Sequence, residues 1–167
     1  MKEDIKAAIE RVAKEYDARA DAAKQQRDKE LIERQQFEAG YRRKRDDVIL
    51  LAIGALTKIL EPHEWTCKIS DGEATSIKFE VFRGNMKGAS AARPYINFSA
   101  DVGLMRVTIY TVTQTQVVPK TTCLLAELTE DLVDKHLLSF FEKLVSEPLD
   151  AESTAPTRPT HDARQHA

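Results

Sequence analysis

Two periodicities divide the chain. From Met1 to about Leu60 apolar residues recur at helical spacing. From Trp65 they recur at every second position, and after Thr129 the helical spacing returns. These changes predict a long amino-terminal helix, a sheet of short antiparallel strands, and one closing helix.

The first segment carries a narrow stripe: Ile5, Ile9, Val12, Tyr16, Ala20, Ala23 and Leu31, with Arg27 as its one polar member. Steps of four, three and four make an eleven-residue repeat, about 3.67 residues per turn, which suits a nearly straight helix meeting a partner with little supercoil. The other faces carry opposite charges four apart, as in Glu10 and Lys14, Arg11 and Glu15, Glu15 and Arg19, Lys24 and Asp28, Glu30 and Arg34, and Arg34 and Glu38. Each exposed pair adds about 0.2 to 0.5 kcal/mol to the helix without supplying a core. No Gly or Pro occurs before Gly40. Such a helix extends about 55 to 60 Å, longer than a body of this size is wide, so part of it projects into solvent or lies on another chain. Antiparallel pairing in a homodimer is the expected use of the stripe, ahead of a merely solvated arm.

A bend or short break is expected near Gly40, with Asp46 or Asp47 capping a fresh helix whose inner face is Val48, Leu51, Ala52, Ala55 and Ile59. Pro62 ends it at about Glu61. The apolar run Val48–Leu56 stops far short of the ~20 residues that span a bilayer, so it reads as a core helix and no membrane partner is expected.

Trp65, Cys67 and Ile69 begin the alternation, and Asp71-Gly72 signals a hairpin turn. A second strand follows from Thr75 to Arg83, then a loop of small residues from Gly84 to Ala91. Tyr95 to Ala100 and Leu104 to Thr113 read as antiparallel neighbours. Gln114 to Lys120 is a connection or an edge strand, and Thr121 to Leu128 a last central strand that supplies Leu124, Ala126 and Leu128 to the core. Thr129 caps the closing helix, whose apolar face is Leu132, Val133, His136, Leu137, Phe140, Phe141, Leu144 and Val145, and Pro148 ends it. From Asp150 periodicity is lost, which predicts a disordered tail. The fold class is therefore α+β: a long helix, an antiparallel sheet of four to six strands, a covering helix and a tail. The segments are 1–47 (projecting helix), 48–147 (α+β domain) and 148–167 (tail).

Charge changes this picture little. The 25 basic and 27 acidic residues give a net charge of -2, so no global field favours nucleic acid or anionic membranes. The densest cluster is Arg42, Arg43, Lys44 and Arg45, which fans around a helix and is followed at once by two aspartates. Two cysteines, Cys67 and Cys123, read as reduced core thiols, and no secretory leader is evident, so a cytoplasmic location is expected. His136 reads as a boundary residue of the core, and His161 and His166 lack metal-ligand spacing. No nucleophile elbow, zinc-protease, P-loop, dinucleotide or EF-hand pattern occurs, so no cofactor or metal is expected.

Three functions fit in descending order. The first is a non-enzymatic interaction or oligomerisation module acting through the helix stripe, with another protein or a second copy as partner. The second is nucleic-acid or anionic-partner binding through Arg42 to Arg45. The third is a small-ligand or enzymatic site on the polar sheet face, for which Tyr95, Arg106 and Tyr110 are the candidate residues.

Overall fold

The computed structural model describes residues 2–83, 93–114 and 117–147. The expected tail, the loop from Gly84 to Ala91 and the terminal histidines therefore fall outside the described residues, wholly or for the most part. Within them the fold is α+β. Helix α1 (Glu3–Lys44) passes through a π-helical turn at Arg45–Ile49 into α2 (Leu50–Leu60), and a 3₁₀ turn at Glu61–His63 follows. Five strands, β1 (Trp65–Glu73), β2 (Ser76–Arg83), β3 (Tyr95–Asp101), β4 (Arg106–Val112) and β5 (Thr121–Cys123), form an antiparallel meander in sequence order. Helix α3 (Glu130–Ser146) follows, with the Thr129 hydroxyl accepting from Leu132 N at 3.4 Å as its cap.

There is no break at Gly40; the helix runs through it. Gly40 serves as a notch instead, since a Cβ there would lie 2.6 Å from Leu125 Cδ2. The irregularity comes later, at the π turn, and its cause is phase. Phe37, Tyr41, Ile49 and Ile53 are all buried and are spaced in multiples of four. At 3.6 residues per turn, sixteen residues overrun whole turns by about 160°, whereas a π turn absorbs one residue and cuts the drift to about 60°. The inner face of α2 is consequently Ile49, Ala52, Ile53 and Leu60. Of the expected face only Ala52 is buried and Val48 half-buried, while Leu51 and Ile59 are 68% and 63% exposed. Counting from a new start at Asp46 misplaced that face, because its phase is inherited from Phe37 and Tyr41.

Two further expectations are corrected. Asp71 and Gly72 lie within β1, where the pairing with β2 shifts between Ser70 and Glu73; the chain reverses at Ala74 and Thr75. That turn is held from both sides, with Arg45 Nη1 donating to Ala74 O at 3.2 Å and Ala100 N to Thr75 O at 2.8 Å. The segment Thr121 to Leu128 is not a central strand. β5 is a three-residue edge strand, and the chain then turns through a 3₁₀ helix at Leu125–Glu127, in which Glu127 Oε2 accepts from Leu124 N at 2.7 Å. Seating Leu125 in the Gly40 notch takes the chain out of the sheet; Leu124 is left 47% exposed, and Leu128 is fully buried.

The core lies between the helices and one sheet face. Ile77, Phe79 and Val81 of β2, Ile96 and Phe98 of β3, and Val107 and Ile109 of β4 form one cluster with Tyr41, Ile49 and Ile53 of the amino-terminal helical segment and with Val133, Leu137, Phe140 and Leu144 of α3. Tyr41 is fully buried and its hydroxyl donates to Phe98 O at 2.8 Å, which ties the long helix to the central strand. Trp65 meets Phe141 edge to face at 5.3 Å, joining β1 to α3.

Candidate interaction surfaces

Residues 2–32 of α1 are exposed without exception, and burial begins only at Phe37. About 45 Å of helix therefore stands clear of the body at 1.5 Å per residue. This rod displays Ile5, Ile9, Val12, Tyr16 and Leu31 at 50%, 55%, 59%, 71% and 55% exposure. Ala20 and Ala23 continue the stripe as a flat, exposed stretch. Arg27 folds back, its Nε donating to Ala23 O at 3.2 Å. Near the amino terminus the stripe widens into a shallow apolar trough, because Ala8 and Ala13 flank it between Asp4 and Asp17. Those two alanines were missed in the sequence; small residues one helical step from a stripe were the available signal. Ile32 is also exposed, at 53%, but lies on the far side of the helix from Ile9.

The ion pairs along this helix differ from those expected. Among the described residues Lys29 pairs with Glu33 at 3.9 Å and Arg42 with Glu38 at 3.8 Å, and Gln26 Nε2 donates to Glu30 Oε1 at 3.0 Å. The six pairs named from sequence are not closed among the described residues. Exposed lysine and arginine side chains gain too little from each such contact to be held in it.

The four basic residues do not share one surface. Arg42 leans back to Glu38, Arg43 is exposed, Lys44 is half-buried, and Arg45 is spent on Asp46 Oδ1 at 2.9 Å and on Ala74 O. Arg45 thus works within the fold, locking the first hairpin against the π turn.

On the polar sheet face, the antiparallel register brings two of the three candidate residues together. Tyr95 and Tyr110 stand edge to face at 6.0 Å, with Lys78 Nζ 4.3 Å over the Tyr95 ring and Lys120 Nζ 5.5 Å from that of Tyr110. Burial pushes the Tyr110 hydroxyl above its ordinary range, and the neighbouring Tyr95 adds to this. Arg106 lies apart, at the far end of β4 opposite Asp101. Glu80, Arg93 and Phe82 complete the cluster, and of these Arg93 and Phe82 were missed in the sequence. Glu80 accepts from Lys78 at 2.7 Å and lies 3.9 Å from Arg93, whose guanidinium covers Phe82 at 4.3 Å. Only the strand register could have revealed this grouping. Its charges and rings already satisfy one another.

The remaining candidates are inert. Cys67 is half-buried and Cys123 buried, and desolvation pushes both thiols up, away from the reactive thiolate. Burial, with Lys135 and Lys143 nearby, holds His136 below the usual histidine range. Among the described residues no group of three or more His, Cys, Asp or Glu is placed to hold a metal, and no helix is long and apolar enough to cross a membrane. Set against protein families, curated proteins and solved structures, the chain matches none.

Proposed function

We propose that this chain is a non-enzymatic assembly module, in which the rod pairs with another helix and the sheet body anchors and orients it. The observation that carries this reading is the exposure of Ile5, Ile9, Val12 and Tyr16 on a helix that contributes nothing to its own core before Phe37. A purely solvated arm requires no apolar stripe, and an exposed apolar strip of this kind is stabilised by being covered. Helix-in-groove and helix-on-helix recognition both use anchors at i, i+3, i+4 and i+7, the spacing seen here. The test is the mass of the protein in solution by light scattering across a concentration series, for the native chain and for Ile9→Glu/Val12→Glu. Self-association of the native chain that the double substitution abolishes is expected. A native chain that stays monomeric at millimolar concentration refutes self-pairing as the use of the rod.

A second reading has one favourable observation, the two tyrosines gathered with Lys78, Lys120 and Arg93 on the polar sheet face, although Lys78 and Arg93 already pair with Glu80. That combination suits a planar anionic ligand, which would displace Lys78 and Lys120 from the rings and stack in their place. Chemical-shift perturbation of Tyr95 and Tyr110 by a nucleoside monophosphate, lost on Tyr110→Ala, would support it; unperturbed tyrosines would dismiss it.

A further inference from the structure

The rod and the body share one side of the helix, and this restricts what can cover the stripe. Ile5 and Tyr41 are separated by about ten turns, and Val12 and Phe37 by about seven, so at 3.6 residues per turn each pair points the same way to within about 20°. Phe37 and Tyr41 are the residues by which α1 enters the core. The sheet body therefore sits on the side faced by the amino-terminal half of the stripe, beginning where the exposed rod ends, while Leu31, the stripe residue nearest the body, points about 80° from Tyr41 and about 120° from Phe37. Building on the assembly reading, we infer that the rod pairs with the rod of a second copy in antiparallel orientation, about a two-fold axis lying between Tyr16 and Ala20.

Three observations carry this orientation. The first is steric. Two chains laid parallel and in register, stripe to stripe, would each drive their own body into the space filled by the other's α2. Reversing one chain moves the two bodies to opposite ends of the pair, and the second copy's amino terminus then reaches the level of Arg34, just short of the body at Phe37. The exposed length, residues 2–32, matches the track available to it.

Side-chain size is the second observation. About that axis the bulky half of the stripe meets the small half: Tyr16 lies against the second copy's Ala20, Val12 against its Ala23, Ile5 against its Leu31, and Ile9 against the aliphatic stem of its Arg27. Large-on-small packing fills the seam beside the axis, at Tyr16 with Ala20 and Val12 with Ala23, and large side chains meet at its two ends. Parallel pairing would instead stack Ala20 on Ala20, Ala23 on Ala23 and Arg27 on Arg27, leaving gaps and two opposed guanidinium groups.

Charge is the third. On one flank of an antiparallel seam Lys6 faces the second copy's Asp28, and Glu10 its Lys24, and symmetry repeats both contacts. Against these stand the like pairs Asp17 with Asp17 and Arg19 with Arg19, one on each flank at the axis. The parallel seam offers no opposite-charge pair and sets Arg19 against Lys24.

Oxidative cross-linking tests the orientation. In a Cys67→Ala/Cys123→Ala background, Val12→Cys/Ala23→Cys is expected to form a covalent dimer, while Val12→Cys and Ala23→Cys alone stay uncross-linked. Cross-linking by the single variants overturns the antiparallel orientation and leaves the assembly reading standing; a native chain that is monomeric by light scattering removes both the orientation and self-pairing. Charge reversal supplies a check in the native-cysteine protein, where folding is not at stake. Lys6→Glu is expected to weaken the dimer about tenfold, on the scale of exposed ion pairs, and Lys6→Glu/Asp28→Lys to restore it to within about threefold. Absence of that rescue overturns the register.

Discussion

Ile9 and Ile32 form a matched pair of probes: the same residue, on the same rod, 55% and 53% exposed, but on opposite sides of the helix. Fully burying an isoleucine side chain contributes roughly 1.5 to 3 kcal/mol, so covering the exposed half of Ile9 contributes about 1 kcal/mol per copy and about 2 kcal/mol per dimer. At a factor of ten per 1.4 kcal/mol, Ile9→Ala should raise the dimer dissociation constant about 30-fold. Ile32→Ala should leave it unchanged within about twofold, because that side chain faces water in either state. Loss of helix cannot produce the difference, since alanine is the better helix former and both substitutions act in its favour by a few tenths of a kcal/mol. The absolute affinity should be modest. Ile5, Ile9, Val12, Tyr16 and Leu31, doubled by symmetry, provide about 10 kcal/mol gross, while association costs on the order of 4 to 15 kcal/mol. Sedimentation equilibrium from about 1 μM to 1 mM covers that regime. Equal shifts for the two variants would mean nonspecific apolar contact, and no shift for Ile9→Ala would mean the stripe is not the seam; either result refutes the reasoning.

Three other outcomes follow from the body. Gly40→Ala should be neutral or destabilising in the native chain, where Leu125 blocks the new methyl, but should stabilise by about 0.5 to 1 kcal/mol in a Leu125→Ala background, read from a denaturant double-mutant cycle. Burial, with Lys135 and Lys143 nearby, lowers the folded pKa of His136 below its unfolded one. Stability should be full above about pH 6.5, the unfolded value, and decline as pH falls below it, and His136→Gln should flatten that slope in urea titrations at pH 7 and pH 5. Deleting the exposed Asp47 should convert the π turn to α-helix while keeping both faces in phase, changing stability by no more than about 1 kcal/mol. Deleting Ala55, outside the π turn, should turn Leu56 and Leu60 off the core and cost several kcal/mol, since each large side chain lost costs about 2 to 5 kcal/mol.

Where local pattern and packing agreed, the sequence was readable. Thr129 capping α3, the alternation of Ile77, Phe79 and Val81, and the pairing of β3 with β4 all follow from nearest-neighbour chemistry. The misreadings arose where a distant contact decided a local choice. Gly40 is a weak helix former in isolation, yet the helix runs through it between the core anchors Phe37 and Tyr41, and its missing side chain leaves room for Leu125, far along the chain. Asp71-Gly72 carries a strong turn signal that β1 overrides by remaining paired to β2 as far as Glu73. Glu80, Arg93 and Phe82 come together beside the tyrosines through strand register, which no spacing along one strand encodes.

The π turn ties these strands of reasoning together. On an unbroken α-helix Ile49 and Ile53 would point roughly 80° and 120° away from Ile5; one absorbed residue brings them back to within about 20°. A single extra residue in Arg45–Ile49 therefore keeps Ile49 and Ile53 on the side of the rod that Phe37 and Tyr41 already fix. With Phe37 and Tyr41 facing the amino-terminal half of the stripe, the exposed track ends at Phe37, and the proposed antiparallel partner would enter it from the opposite direction.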